Sequence, residues 1–374
     1  MYKAPFPYFG GKSTIADMVW SRLGDTPNYV EPFFGSGAVL LNRPHWHPDK
    51  SQTETVNDLS GFIANLWRAV RADPDQVAQY ADQPVNENNL HAIHGWLVRQ
   101  AEGLPPKLEG NPEYYNAKIA GWWLWGTACW IGSGWCSGKG PWHQVETADG
   151  WKLVNGSAGS PTGDAGQGFN RQRVHLGAGQ GVSRKRVHLG DAGQGVNRQL
   201  VHLNHQGQGV NQAKVRNGAG GIAGSGEQGL YAWMQALSER IARVRVCCGD
   251  WSRVCGPTST FKRGLTAVFL DPPYTAEAGR EADLYEQDSL TVGHEVADWC
   301  KANQDNPLLR IVLCGYEGEY DLPGWNCVAW KAAGGYGGQG DGAGRSNAHK
   351  ERLWFSPHCL QPTAYKNLSL FEEE

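Results

Sequence analysis

The feature that most constrains the fold is a short apolar strand, residues 29–33, that runs directly into a glycine-rich turn, FGSG. A helix is predicted to begin at Ala38, and a second strand is predicted over residues 53–57. The stretch 59–70 then carries apolar residues at helical spacing. This order of strand, turn and helix is typical of a doubly wound α/β sheet, because each crossover helix returns the chain for another parallel strand.

A second α/β portion follows the middle of the chain. Apolar strands are predicted over residues 267–270, 308–313 and 352–355, and a helix over residues 230–244. The middle differs in composition: residues 73–121 read as polar helices with a break at 103–106, residues 122–155 form an unusual segment with six tryptophans between 122 and 142, and residues 156–229 are glycine-rich. We therefore predict one Rossmann-like domain formed by residues 1–75 and 245–374, with residues 76–244 inserted between its halves.

The overall charge excludes a uniformly basic protein, since the net charge is −3 and the pI about 6.5. Any surface that binds nucleic acid must then be a local patch. No apolar run reaches the roughly 18 residues of a membrane span, so no membrane association is expected. No signal peptide is visible at the first residues, so we expect a cytoplasmic location and reduced thiols for the nine cysteines.

A basic repeat occupies the glycine-rich segment. Variants of GQGVNRQRVHL begin at residues 166, 179, 193 and 207, and eight Lys or Arg side chains lie between residues 166 and 216 against a single acid, Asp191. One interpretation is a strand-and-turn array whose cations contact DNA phosphates, and the other is a flexible linker with a solvated charge run. The DNA-binding candidates are Arg171, Arg173, Arg184, Lys185, Arg186 and Arg198.

The glycine-rich turn and a later carboxylate together indicate a nucleoside cofactor. Glycines at 35 and 37 allow close approach of the backbone to a ligand, and the next helix offers free N–H groups. Asp58 follows the second predicted strand, where a carboxylate can accept hydrogen bonds from both ribose hydroxyls. The alternative is that Asp58 caps the helix that begins at Leu59.

The motif DPPY, residues 271–274, directly follows the buried strand AVFL. An exocyclic amine on a base is a poor nucleophile, because its lone pair is delocalised into the ring. The Asp271 carboxylate and the Pro272 carbonyl can hold both amine hydrogens and so free the lone pair for attack on an electrophilic methyl group. Pro272 and Pro273 stiffen the backbone, and Tyr274 can stack on a flipped base. The alternative is a proline-rich turn that only closes the strand.

In these motifs the sequence resembles the Dam-type family of adenine-N6 DNA methyltransferases, in their alpha motif order. PYFGGK at 7–12, EPFFGSGAV at 31–39, VNDL at 56–59 and DPPY match in order. The resemblance implies a Rossmann-like methyltransferase sheet that binds S-adenosylmethionine, with a glycine- and tryptophan-rich target-recognition region inserted. It implies that the cofactor is held by Tyr8, Gly10, Gly11, Lys12, Glu31, Phe33, Gly35, Gly37, Asp58 and Asp250. It also implies that Glu351 and Trp354, near the C-terminus, are structural or lie near the target base.

The activity implied by the resemblance is transfer of a methyl group to the N6 amine of a flipped adenine in duplex DNA, in a bacterial or phage-infected cell. The alternatives are cytosine-N4 methylation, methylation of RNA or protein, and a non-catalytic DNA-binding protein with a degenerate cofactor site. The middle of the chain looks more like phage or prophage adenine methylases than cellular Dam enzymes. No nuclease motif accompanies it, and the basic repeats predict relaxed specificity, for a short, degenerate target or for nearly any accessible adenine.

Two further patterns carry weaker interpretations. The cysteines lack CxxC spacing, so no metal site is predicted, and the histidines at 175, 188 and 202 are taken as polar or phosphate-facing rather than as ligands. The tryptophans of residues 122–142 are interpreted as core packing in the first place and as a surface that stacks on bases in the second.

Overall fold

The structure is a computed structural model that describes residues 2–6, 12–130, 135–136, 142–147, 150–155, 229–274, 291–330 and 349–361. The helices are α1 (Ala16–Leu23), α2 (Ala38–Leu41), α3 (Gly61–Ala72), α4 (Pro74–Ala81), α5 (Glu87–Ala101), α6 (Leu104–Gly110), α7 (Ala117–Cys129), α8 (Leu230–Ile241), α9 (Ser252–Cys255) and α10 (Val292–Asn303). The strands are β1 (Asn28–Glu31), β2 (Thr53–Asp58), β3 (Trp142–Thr147), β4 (Gly150–Asn155), β5 (Arg245–Cys248), β6 (Thr266–Leu270), β7 (Leu309–Tyr316), β8 (Asn326–Ala329) and β9 (Glu351–Phe355). Within these ranges no helix has the length and apolar character needed to cross a membrane.

Seven of the strands form one sheet in the order β5-β2-β1-β6-β7-β9-β8. The pairs from β5 to β7 are parallel, whereas β9 runs antiparallel to both β7 and β8. The predicted Rossmann-like, doubly wound sheet is therefore confirmed. The chain leaves β1 towards β2 on one side and resumes at β6 on the other, so the point where the strand order reverses lies between β1 and β6. Ligands of open α/β sheets bind at the carboxyl ends of the strands beside such a point.

The apolar runs that predicted β1, β6, β7 and β9 each form a strand within one to three residues of the predicted bounds. Strands β5 and β8 had no such signal. The sequence of β5 is RVCC, and that of β8 is NCVA, whose residues are largely exposed. The hairpin of β3 and β4 was not predicted either, because its sequence falls in the segment singled out only for its tryptophans. Short strands at a sheet margin gain their order from the neighbouring strand rather than from their own apolar pattern.

The tryptophan-rich helix α7 is buried on nearly all sides, and Trp125 is fully enclosed. The helix packs against α3 and α4. It approaches α4 at Gly121, where a β-carbon would lie only 2.6 Å from the Val77 carbonyl oxygen, so a larger residue would force the two helices apart. Trp123 lies against Phe62 of α3, with ring centroids 6.5 Å apart. Core packing is thus the role of Trp123 and Trp125.

Candidate active site

The candidate site lies at the carboxyl edge of the sheet, where β1 and β6 are neighbours. Val30 is level with Val268, so β1 and β6 end within one residue of each other in register. The glycine-rich turn after β1 and the DPPY motif after β6 consequently leave the sheet side by side. The sequence separates these two motifs by more than 230 residues, and the parallel pairing of two strands joins them.

The turn after β1 is tied to the end of β2 through Asp58. The Gly35 N–H donates to Asp58 Oδ2 at 2.8 Å, and the Ser60 N–H donates to Oδ1 at 2.9 Å. Neither bond reaches an N–H within α3, so Asp58 does not cap that helix as the alternative interpretation held. Burial raises the pKa of Asp58 to about 6 in spite of these two hydrogen bonds. The carboxylate thus keeps acceptor capacity at a desolvated position beside the turn.

The glycine at position 37 has a backbone conformation that the turn requires. Its φ of +69° is left-handed, and a β-carbon there would come within 2.8 Å of the Phe34 ring and 3.1 Å of the Trp67 ring. The Trp67 indole also donates to the Gly35 carbonyl oxygen at 3.0 Å. The turn therefore packs against α3, and its backbone is held in one conformation.

The DPPY motif is held by a residue from the first dozen of the chain. Lys12 Nζ lies 3.0 Å from Asp271 Oδ1 and donates to the Tyr274 hydroxyl, also at 3.0 Å. The lysine is only 6% exposed, whereas the Asp271 side chain is 20% exposed. The ammonium group therefore binds one carboxylate oxygen of Asp271 from inside the protein, while part of this side chain still reaches the surface.

Four further residues surround this pair, and their roles were not evident from the sequence. Cys314 of β7 lies close enough to Asp271 to lower the pKa of that carboxyl. Tyr316, at the end of β7, sets its ring edge against Tyr274 at a centroid distance of 4.5 Å. The Lys12 ammonium also lies 5.4 Å from the Trp330 ring centroid. The fourth is Glu351, whose Oε2 accepts a 2.6 Å hydrogen bond from the Tyr274 hydroxyl.

The charges of this cluster depend on one another. Burial opposes the charge on Lys12, but Asp271, Cys314 and Glu351 raise its pKa above the ordinary value, so it stays cationic. Burial raises the pKa of Asp271 and that of Glu351, and the Lys12 ammonium opposes both shifts. A single lysine therefore stabilises the ionised forms of both carboxylates, that of the half-buried Asp271 and that of the buried Glu351.

The other predicted cofactor residues are distributed around the turn. Glu31 is 3% exposed and accepts a 2.8 Å hydrogen bond from the Tyr29 hydroxyl, and burial raises its pKa well above the ordinary value. Phe33 stacks on Trp251 with ring centroids 6.3 Å apart. Asp250 is exposed and accepts hydrogen bonds from the Ser252 N–H and hydroxyl. Predicted residues outside the described ranges are Tyr8, Gly10, Gly11, Arg171, Arg173, Arg184, Lys185, Arg186 and Arg198.

Comparison with known families identifies the first part of this site. Residues 8–94 match the model of a family described as D12 class N6 adenine-specific DNA methyltransferase. This part of the chain is therefore similar to the D12 class N6 adenine-specific DNA methyltransferases. The match spans Lys12, the glycine-rich turn and Asp58, and it ends well before DPPY. No curated protein matches the chain.

The methyltransferase family narrows the activities that the sequence left open. Its members methylate adenine N6 in DNA, which supports an enzyme with a DNA substrate over a non-catalytic binding protein and favours adenine over cytosine. Methyltransferases of this family generally use S-adenosylmethionine. Within the described ranges, no group of three or more His, Cys, Asp or Glu side chains is arranged to hold a metal ion.

Proposed function

We propose that the chain transfers a methyl group from S-adenosylmethionine to the N6 amine of an adenine flipped out of duplex DNA, with Asp271 and the Pro272 carbonyl as the acceptors of the two amine hydrogens. The observation that carries the proposal is the contact of Lys12 with both Asp271 and Tyr274, at the sheet edge where the glycine-rich turn also ends. One residue of the matched family domain thereby touches the motif that lies outside the match.

The residues around the turn suit an adenosine-containing cofactor. Asp58 is a half-buried carboxylate, and each of its oxygens accepts one backbone N–H from the described residues and has further lone-pair capacity for a ribose hydroxyl. Phe33 and Trp251 form an aromatic pair beside it, and aromatic faces bind adenine by stacking. S-adenosylmethionine, when bound, supplies the electrophilic methyl group. We assign Glu31, Gly35, Gly37 and Asp250 to the same pocket.

The residues around DPPY suit an amine substrate. A carboxylate that is to hold an N–H must be ionised, and Lys12 favours that form of Asp271 against the effect of burial. Tyr274 offers an aromatic ring for stacking, which is worth about 1–3 kcal/mol per base. This gain is comparable with the few kcal/mol needed to flip a base out of a duplex.

The test is methyl transfer from radiolabelled S-adenosylmethionine to DNA, followed by nucleoside analysis of the product. We expect N6-methyl-2′-deoxyadenosine from DNA, and no label in DNA with Asp271→Ala, which should still bind the cofactor in titration calorimetry. N4-methylcytosine as the product, or label only in RNA or protein, would replace the proposed substrate. An Asp271→Ala protein with normal turnover would overturn the assignment of DPPY.

We further assign recognition of DNA to residues 76–244, with the basic repeats as its phosphate contacts. A protein with a net charge of −3 must bind a polyanion through a local patch, and the repeats carry one arginine at a similar offset in three units, at 171, 184 and 198. Phosphate contacts position a protein without reading the DNA sequence, so we expect a short, degenerate target.

Replacing Arg171, Arg184 and Arg198 together by alanine tests this assignment. DNA affinity should fall similarly for all sequences, and the slope of log affinity against log salt should flatten by about 0.9 for each phosphate that the protein no longer neutralises. Cofactor affinity serves as the internal control and should not change. Normal DNA binding at moderate salt would make the repeats a linker, and an altered target sequence would mean that they read bases.

A further inference from the structure

The hydroxyl group of Tyr274 is held from two sides by residues that are remote in sequence. Lys12 Nζ donates to the hydroxyl oxygen at 3.0 Å, and the hydroxyl donates to Glu351 Oε2 at 2.6 Å. The ring itself lies edge to face with Tyr316, at a centroid distance of 4.5 Å and an interplanar angle of 64°. The position and the plane of the Tyr274 ring are therefore determined by three contacts from three different segments.

Glu351, which accepts this hydrogen bond, lies at a buried position that is unfavourable for a carboxylate. Glu351 is 4% exposed, and an ionised group in such a position is costly unless it is paired and hydrogen-bonded. An apolar side chain could begin β9 without that cost. The interaction that offsets the cost is the bond from Tyr274, together with the nearby charge of Lys12. A bond between a hydroxyl and a carboxylate is among the stronger hydrogen bonds in proteins.

The antiparallel direction of β9 explains how Glu351 reaches the site. Glu351 is the first residue of β9 and is paired with Tyr316, the last residue of β7. The start of an antiparallel strand lies at the same edge as the ends of its parallel neighbours. The carboxylate of Glu351 therefore enters the carboxyl edge from the start of β9, next to the end of β7.

We propose that Glu351 is a positioning residue for methyl transfer, which fixes the Tyr274 ring, through its hydroxyl, in the orientation that stacks on the target base. This inference rests on the proposed function, in which Tyr274 is the residue that stacks. Glu351 does not touch the base; it acts through the tyrosine. Stacking of Tyr274 on the base promotes transfer only when it holds the amine in line with the methyl group of the cofactor. A displacement of the amine by about 1 Å can lower the rate by roughly 10²-fold.

The test is a double-mutant cycle between Glu351→Ala and Tyr274→Phe, measured as turnover on DNA at saturating cofactor. Glu351→Ala alone should lower turnover by roughly 10–100-fold, with cofactor affinity unchanged. In a Tyr274→Phe background the same change should have little further effect, because no hydroxyl remains to be held. Glu351→Gln, whose amide oxygen still accepts the bond, should recover most of the turnover.

The matched control is Glu317→Ala, which removes an exposed acid that pairs with Arg352 of β9 and should leave turnover unchanged. If Glu351→Ala does not fold, Glu351→Asp keeps the charge but withdraws the oxygen from the hydroxyl, and the same cycle applies. Equal losses from the Glu351 change in both tyrosine and phenylalanine backgrounds would overturn the positioning role. Loss of activity in Asp271→Ala alongside such a result would leave the proposed function standing, whereas full activity in Asp271→Ala would mean that the proposed function itself has failed.

Discussion

Two halves of the same sheet edge are built in different ways. The half after β1 and β2, which we call the cofactor half, comprises residues 31–37 and Asp58, and backbone N–H groups supply its decisive hydrogen bonds. The half at the ends of β6 and β7 and the start of β9, which we call the transfer half, comprises Asp271–Tyr274 with Lys12 and Glu351. Side-chain contacts between segments separated by up to 262 residues hold it together.

The two halves depend on the rest of the molecule to different extents. A turn and a carboxylate on adjacent strands are joined by a crossover of fewer than 30 residues, so their geometry is largely local. The transfer half needs Lys12 at one end of the chain and Glu351 near the other, and it forms only when the sheet is complete. We therefore expect substitutions in the cofactor half to change cofactor affinity and those in the transfer half to change turnover.

Lys12 gives the strongest test of this difference between the halves. The family resemblance assigns Lys12 to the cofactor, whereas the structure places it against Asp271. Lys12→Ala should lower turnover by roughly 10²–10³-fold, as expected when a preorganised charge is removed from a buried site. Removing the cation should raise the pKa of Asp271 further, since Lys12 opposes the effect of burial there. Transfer requires the ionised acid, so the acidic limb of the turnover profile should move to higher pH.

The measurement for Lys12→Ala is turnover against pH at saturating cofactor, together with the cofactor dissociation constant. Normal turnover together with greatly weakened cofactor binding would assign Lys12 to the cofactor half instead. An unshifted acidic limb would mean that Asp271 is not the group whose ionisation limits transfer.

Asp58 provides the complementary test, in which cofactor affinity rather than turnover should change. Asp58→Asn should raise the dissociation constant of S-adenosylmethionine by about 10–100-fold, the range for a hydrogen bond to a charged group, with turnover at saturation nearly unchanged. In the unmodified protein the acid has a pKa of about 6. The ribose hydroxyls need the ionised acceptor, so affinity should be constant above pH 6 and fall about tenfold for each unit below it.

Calorimetric titration at several pH values measures both effects, and the asparagine variant should lack the pH dependence. A pH-independent affinity in the unmodified protein would show that Asp58 does not hold the ribose. A fall in turnover larger than the loss of affinity would mean that the two halves are coupled.

Gly37 tests whether the turn needs its backbone conformation. Gly37→Ala should destabilise the fold by about 1–3 kcal/mol, because alanine is strained at positive φ and its β-carbon would press on Phe34. It should also weaken cofactor binding by displacing the turn. Gly324→Ala is the matched control: its φ is +83° with nothing within 4 Å, so only the strain remains. Thermal unfolding and calorimetry compare the pair, and equal cofactor affinities in both variants would contradict a packed turn at the ligand.

Asp250 should give the smallest effect in either half. Its carboxylate is exposed and accepts bonds from Ser252, so Asp250→Ala should change the cofactor dissociation constant by less than about threefold, as for most surface groups away from a buried contact. A larger rise, measured by the same titration, would extend the cofactor half to the end of β5.

Particular residues mark the limit of what the sequence predicted. The order of strands and helices, the turn at residues 31–37, Asp58 at the end of β2 and DPPY after β6 could all be inferred, because each depends on a pattern within a few neighbouring positions. Sequence reasoning treated Glu351 as structural or near the base and did not single out Cys314, Tyr316 or Trp330, since none stands in a motif of its own. A carboxylate that begins a strand carries no local signal of its partner.

The doubly wound fold class and the two motifs that meet at the sheet edge could be inferred from the sequence alone, and residues 8–94 match the family model. The folded sheet, and no local pattern, places β9 antiparallel between β7 and β8 and so brings Glu351 to Tyr274. It likewise pairs Lys12 with Asp271. The physical reason is range: hydrophobic periodicity and turn chemistry act over a few residues, whereas buried ion pairs and hydrogen bonds form between groups that only the completed sheet brings together.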